Sequence, residues 1–106
     1  MDTTSFDILV DRELRICKDK LKSKAKEYAT VDRLHNFKVA AALEECTVRE
    51  ALRGMMAKHT VSVYDMCKSE EELPIALWDE KITDHINYLL LLRAVVEEDS
   101  RELQGL

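Results

Sequence analysis

Turn-forming residues are almost missing from this chain, with two glycines and one proline in 106 residues. Sheet proteins need such residues every 8–12 positions, so their scarcity excludes sandwiches, barrels and hairpin-rich folds. Cysteine is sparse as well. Cys17, Cys46 and Cys67 are odd in number and far apart, with no CxxC or Cys/His ligand spacing, which argues against structural zinc and a disulfide framework. Small buried thiols in a reducing compartment are the expectation. The first five residues lack a basic stretch followed by an apolar run, so no signal peptide is read there. The longest apolar run, 89–92, is far too short to span a bilayer. A cytosolic protein is expected.

What is present is charge and apolar periodicity. Hydrophobic residues make up 46% of the chain and charged residues 35%, which fits amphipathic helices with solvated outer faces. The net charge of −5 makes nucleic acid a poor partner. The charge is uneven, because Arg12, Arg15, Lys18, Lys20, Lys22, Lys24 and Lys26 crowd one segment while acid collects at 70–72 and 97–99.

Three- and four-residue spacing predicts an all-α single domain over 1–106, an elongated bundle of about four helices. The first covers 5–28, with Phe6, Val10, Leu14, Cys17, Leu21, Ala25 and Tyr28 on one stripe. The second covers 33–45, with Asp32 as its N-cap. The third covers 48–68 and opens on Thr47-Val48-Arg49-Glu50, a capping-box pattern. Gly54 lies inside it, and close helix packing would explain a glycine there. The fourth covers 74–98, introduced by a cap-like Ser69-Glu70-Glu71-Glu72 and by Pro74. Its apolar residues, including four consecutive leucines, point all around the helix, so it should be buried on most of its faces. Such a helix is either central in the monomer or meets another chain. A homo-oligomer is favoured, since a domain this small buries little core alone.

Polar residues that interrupt the apolar helices mark the candidate sites. Glu80, Asp84 and Asn87 share a stripe on the fourth helix, with His85 beside it. Lys58, Ser62 and Asp65 stack on the third, with His59 on its apolar side. Two such stripes facing each other would gather carboxylates, an amide, an imidazole and an ammonium in one cleft. Asp65, Glu80 and Asp84 are the candidate ligands for magnesium, whose bound water would attack phosphorus if the protein is an enzyme. Lys58 and His59 could instead hold phosphate directly. The plain alternative is a polar network that sets helix register. Arg33, His35, Asn36 and Lys38 form a second cluster near a helix start, where exposed amides and the helix dipole attract anions. Tyr28 and Trp78 are aromatic faces on which a base could stack. No nucleophile motif or phosphate loop is present.

The pattern Lys26-Glu27-Tyr28-Ala29, Asp32-Arg33-Leu34-His35-Asn36-Phe37-Lys38, Met56-Ala57-Lys58-His59, then Trp78-Asp79-Glu80-Lys81-Ile82 with Asp84, Asn87 and Tyr88, resembles small helical proteins of phages and prophages. These are grouped as nucleotide-modification-associated helical domains. More distantly, the fourth helix is similar to that of the MazG-like all-α nucleotide pyrophosphatases. The resemblance implies a Glu-x-x-Asp metal motif. Asp84 matches its Asp, whereas the Glu falls at Lys81 and Glu80 is one residue off. The Glu-Glu-x-x-Glu motif of that superfamily has no counterpart in the third helix. The expectation is a nucleotide-binding phage-type protein in the cytoplasm of a bacterial host cell, sequestering a nucleotide or nucleotide-derived signal. No cofactor is required for that role. The alternatives are a divergent magnesium-dependent pyrophosphatase and a structural helical oligomer without ligand.

Overall fold

The computed structural model describes residues 1–28 and 31–105, with the Tyr28 side chain outside the described set. Four α-helices and, among the described residues, no strand make an all-α protein: α1 Thr3–Tyr28, α2 His35–Glu44, α3 Val48–Lys68 and α4 Ile75–Leu103. None of these helices is long and apolar enough to cross a membrane. The chain divides into two compact units, Met1–Val31 and Asp32–Leu106.

The first unit is α1 alone. It begins two residues earlier than periodicity suggests because Asp2 caps it, its Oδ1 accepting the Ser5 N–H at 2.7 Å. That backbone bond holds the Asp2 carboxyl below the usual carboxylate range. Phe6, Ile8 and Leu14 stay exposed.

The second unit has a core of its own. Leu34, Phe37, Leu52 and Val95 form one buried cluster, with Val48, Met55, Met56, Tyr88, Leu91 and Leu92 packed against it. Each fully buried side chain of this size contributes roughly 1.5–3 kcal/mol. The order of cross-helix partners shows that α3 and α4 run antiparallel. Arg49 meets Asp99, His59 meets Tyr88, and Thr60 meets His85, so the numbers rise on one helix as they fall on the other.

Local chemistry explains the helix ends. Asp32 builds a turn ahead of α2, its Oδ1 accepting the Leu34 N–H at 2.9 Å, and regular helix starts at His35. The N-cap position falls to Leu34, two residues later than expected. α2 closes at Glu45, which lies in the left-handed region with φ 55°. The Glu45 and Cys46 N–H groups then donate to Ala42 and Ala41 oxygens, a Schellman closure with glutamate in the usual glycine place. The capping box of α3 forms as its sequence predicts: Thr47 accepts from the Glu50 N–H, and Glu50 accepts from the Thr47 N–H. The Thr47 hydroxyl also donates to Glu50 Oε1 at 2.9 Å, and this bond first and the Thr47 N–H second lower the Glu50 carboxyl pKa.

Several expectations need correcting. A Cβ added at Gly54 would meet nothing within 4 Å, so no close packing among the described residues explains that glycine. Ser69 does not cap α4. It ends α3 and accepts the Glu71 N–H at 3.1 Å, while Pro74 takes the N-cap position of α4. α4 continues five residues past 98, because Arg101 and Arg93 pair with Glu97 and because Arg49 and Lys38 anchor Asp99 and Glu98. Within a single chain α4 is not buried on most faces. Ile75 is 74% exposed, Ile82 38%, Leu89 50% and Leu90 47%. Of the three cysteines, none in a disulfide, only Cys17 is buried, while Cys46 is half-buried and Cys67 exposed.

Candidate functional site

The polar stripes of α3 and α4 meet along the seam of the antiparallel pair. His59 is half-buried there and lies against the Tyr88 ring, centroids 4.7 Å apart and planes tilted by 34°. Phe37 of α2 touches the same tyrosine edge-on at 6.4 Å, which fixes the ring between core and seam. Beside them Thr60 Oγ1 and His85 Nε2 are 3.0 Å apart. That bond forms in either imidazole tautomer, since the hydroxyl can donate to Nε2 or accept from it. Thr83 and Asn87, one turn apart on α4, are polar and buried, at 2% and 6% exposure. An ordinary helical core does not require two such groups.

The electrostatics of the seam centre on His59. Burial holds its imidazole pKa below the ordinary histidine value. Lys58, Lys81 and His85 push in the same direction, and Asp84 opposes them. Two ammonium groups, a second imidazole and one carboxylate therefore act on His59. Lys58 is exposed and Lys81 half-buried, so both retain access to solvent. Lys58, His59, Asp84 and Asn87 were singled out by spacing. His85 is also read from spacing, beside that stripe. Thr60, Lys81, Thr83 and Tyr88 complete the seam, and their signal is visible only once α3 and α4 are aligned antiparallel.

The magnesium set is not assembled. Asp84 is half-buried beside His59, whereas Asp65 and Glu80 are exposed. Among the described residues no three His, Cys, Asp or Glu side chains are grouped to hold a metal ion. Trp78 is half-buried near the start of α4, seven residues before His85 and so about 10 Å away along the helix.

The α2 cluster lies elsewhere. Lys38 Nζ sits between Asp32 Oδ2 at 2.6 Å and Glu98 Oε1 at 2.5 Å. Hydrogen bonds to Asp32 and then to Glu98 raise the lysine pKa above its ordinary value. The Asp32 carboxyl is lowered in turn, first by Lys38 and then by the Leu34 N–H. The anion at the start of α2 is thus the chain's own Asp32. His35 and Asn36 are exposed on the first turn. Arg33 lines an open cleft of about 300 Å³ with Asp32, Leu34, Leu91, Ala94, Glu97, Glu98 and Arg101. Three carboxylates against two guanidiniums give that cleft no excess of positive charge. The charged part of the cleft lies toward the end of α4, Glu98 being ten residues and about 15 Å beyond Tyr88. The Tyr28 side chain lies outside the described residues.

Comparison of the chain with family models, with curated proteins and with solved structures finds no significant match.

Proposed function

We propose that this chain binds a phosphate-bearing small molecule of the nucleotide class along the α3–α4 seam and holds it unchanged. One observation carries the reading: Lys58, Lys81, His85 and Asp84 all act electrostatically on half-buried His59, which lies against the Tyr88 ring on the helix pair that also carries buried Thr83 and Asn87. Ammonium and imidazole groups suit phosphate oxygens, and an aromatic ring suits a base. Binding is favoured over hydrolysis because Asp65, Glu80 and Asp84 are not drawn together as a metal set. The sequence resemblance to phage and prophage nucleotide-associated domains points the same way. In that setting, the bacterial host cytoplasm, the protein would sequester a nucleotide or a signal made from one, which needs affinity and no turnover.

The test is a thermal-shift panel of mono-, di- and cyclic nucleotides, with magnesium and with EDTA, followed by mass analysis of the recovered ligand. The expected result is a rise in Tm with at least one nucleotide in EDTA and an unchanged ligand mass. Magnesium-dependent cleavage abolished by Asp84→Asn would replace this reading with a pyrophosphatase. Indifference of Tm to the whole panel would leave the seam as a network that sets register.

A second reading, a helical assembly module, draws on a different observation, the exposed apolar side chains on the outer face of α4.

A further inference from the structure

Ile75, Ile82, Leu89 and Val96 recur every seven residues along α4, and Asp79, Ile86 and Arg93 fall between them four residues on. This is the alternating three- and four-residue seam by which one helix packs on another. It lies opposite the core side of α4, which carries Thr83, Asn87, Leu91 and Val95. Ile75, Ile82 and Leu89 are 74%, 38% and 50% exposed, and Leu90 at the margin of the stripe is 47% exposed. The stripe also carries a signed pattern. Asp79 lies seven residues before Ile86 and Arg93 seven residues after it, both exposed.

We infer that the outer stripe of α4 pairs with the same stripe of a second copy of this chain, antiparallel, about a two-fold axis near Ile86. The charges choose both occupant and direction. In antiparallel register Asp79 of each copy stands opposite Arg93 of the partner subunit, twice over. In parallel register Asp79 would face Asp79 and Arg93 would face Arg93, which is repulsive at both ends. A two-fold interface is self-complementary, so a helix with acid at one end of its stripe and base at the other, symmetric about an apolar centre, suits its own copy. Arg93 already pairs with Glu97 at 2.9 Å. Its guanidinium has five donors in a planar fork, enough to hold that carboxylate and Asp79 of the partner subunit together. Polar groups inside an apolar helix seam fix register at some cost in stability. The pairing does not depend on the ligand proposed for the inner seam.

The test uses the full chain, with Cys17, Cys46 and Cys67 replaced by serine and helicity checked by circular dichroism. Sedimentation equilibrium should show a dimer. Asp79→Arg alone and Arg93→Asp alone should each weaken it at least tenfold, and the double swap should restore it. Ile86→Cys should cross-link to itself on mild oxidation. Asp79→Cys should cross-link to Arg93→Cys when the two variants are mixed, and not to itself. A monomer at all concentrations, a double swap no better than the singles, or self-cross-linking of Asp79→Cys would each overturn the antiparallel pairing.

Discussion

The two ends of the α3–α4 pair are built from opposite materials. At the end where α2 joins, Leu52 and Val95 meet Leu34 and Phe37 in a buried apolar core, Leu52 being 0% exposed. One or two turns along, the same two helices face each other through His59, Thr60, Thr83, His85, Asn87 and Tyr88. Tyr88 belongs to both regions, touching Phe37 on one side and His59 on the other. Burying apolar surface is the cheaper way to hold two helices together, and the chain uses it where only stability is at stake. Retaining buried hydroxyl and amide groups and half-buried imidazoles next to that core gives up stability that leucines would supply. Such local departures from good packing concentrate at functional sites.

The contrast can be broken first at its apolar end. Leu52→Ala should cost roughly 2–5 kcal/mol, read as a lower urea midpoint with an unchanged slope. The polar end should answer the other way. Lys58→Ala combined with Lys81→Ala should change stability by under about 0.5 kcal/mol, as surface changes do, while lowering nucleotide affinity at least tenfold in calorimetric titration. A loss of several kcal/mol there would make the seam a structural network. Gly54→Ala should stabilise the protein by about 1 kcal/mol, since the helix gains propensity and the new methyl meets nothing. Glu45→Gly should raise Tm by a similar amount, roughly 1 kcal/mol in stability, by relieving the left-handed backbone that ends α2.

The smallest expected effect is a pH dependence. Burial lowers the His59 pKa in the folded chain, so the unfolded chain takes up its proton first as pH falls. The His59 contribution is therefore full above the ordinary histidine value of about 6.5 and is lost as pH falls from there through the folded value. Tm measured from pH 7.5 to 5.5 should decline, and His59→Gln should flatten the decline. The Lys38 ion pairs run the opposite way for the ammonium, whose stabilisation is complete below its ordinary pKa and lost only at strongly alkaline pH. Lys38 is 38% exposed, so screening keeps each of its pairs at or below about 1 kcal/mol.

Much of this was legible in the sequence because it is local. The Thr47–Glu50 capping box needs only four consecutive residues, and α3 runs over the predicted span. The two polar stripes follow from helical spacing, and a short connection between α3 and α4 makes them neighbours. What stayed hidden depends on distant partners or on exceptions to residue preference. Lys38 looks like an anion-binding cation until Glu98, sixty residues away, is folded against it. The end of α4 outlasts its apolar period because Arg49 reaches Asp99. Glu45 takes a conformation that residue preference assigns to glycine or asparagine, so its sequence gives no warning. The leucine run of α4 suggests burial all around, whereas Leu91 and Leu92 pack on the core while Leu89 and Leu90 face outward.

The three histidines allow the central claim to be tested in one titration, since His59 and His85 lie in the seam and His35 opens α2. Proton–nitrogen spectra of the imidazoles should be followed as the nucleotide giving the largest thermal shift is added in EDTA. Binding at the seam predicts saturable shifts at His59 and His85 with His35 unmoved. A response confined to His35, or none at any of the three at saturating nucleotide, would contradict it.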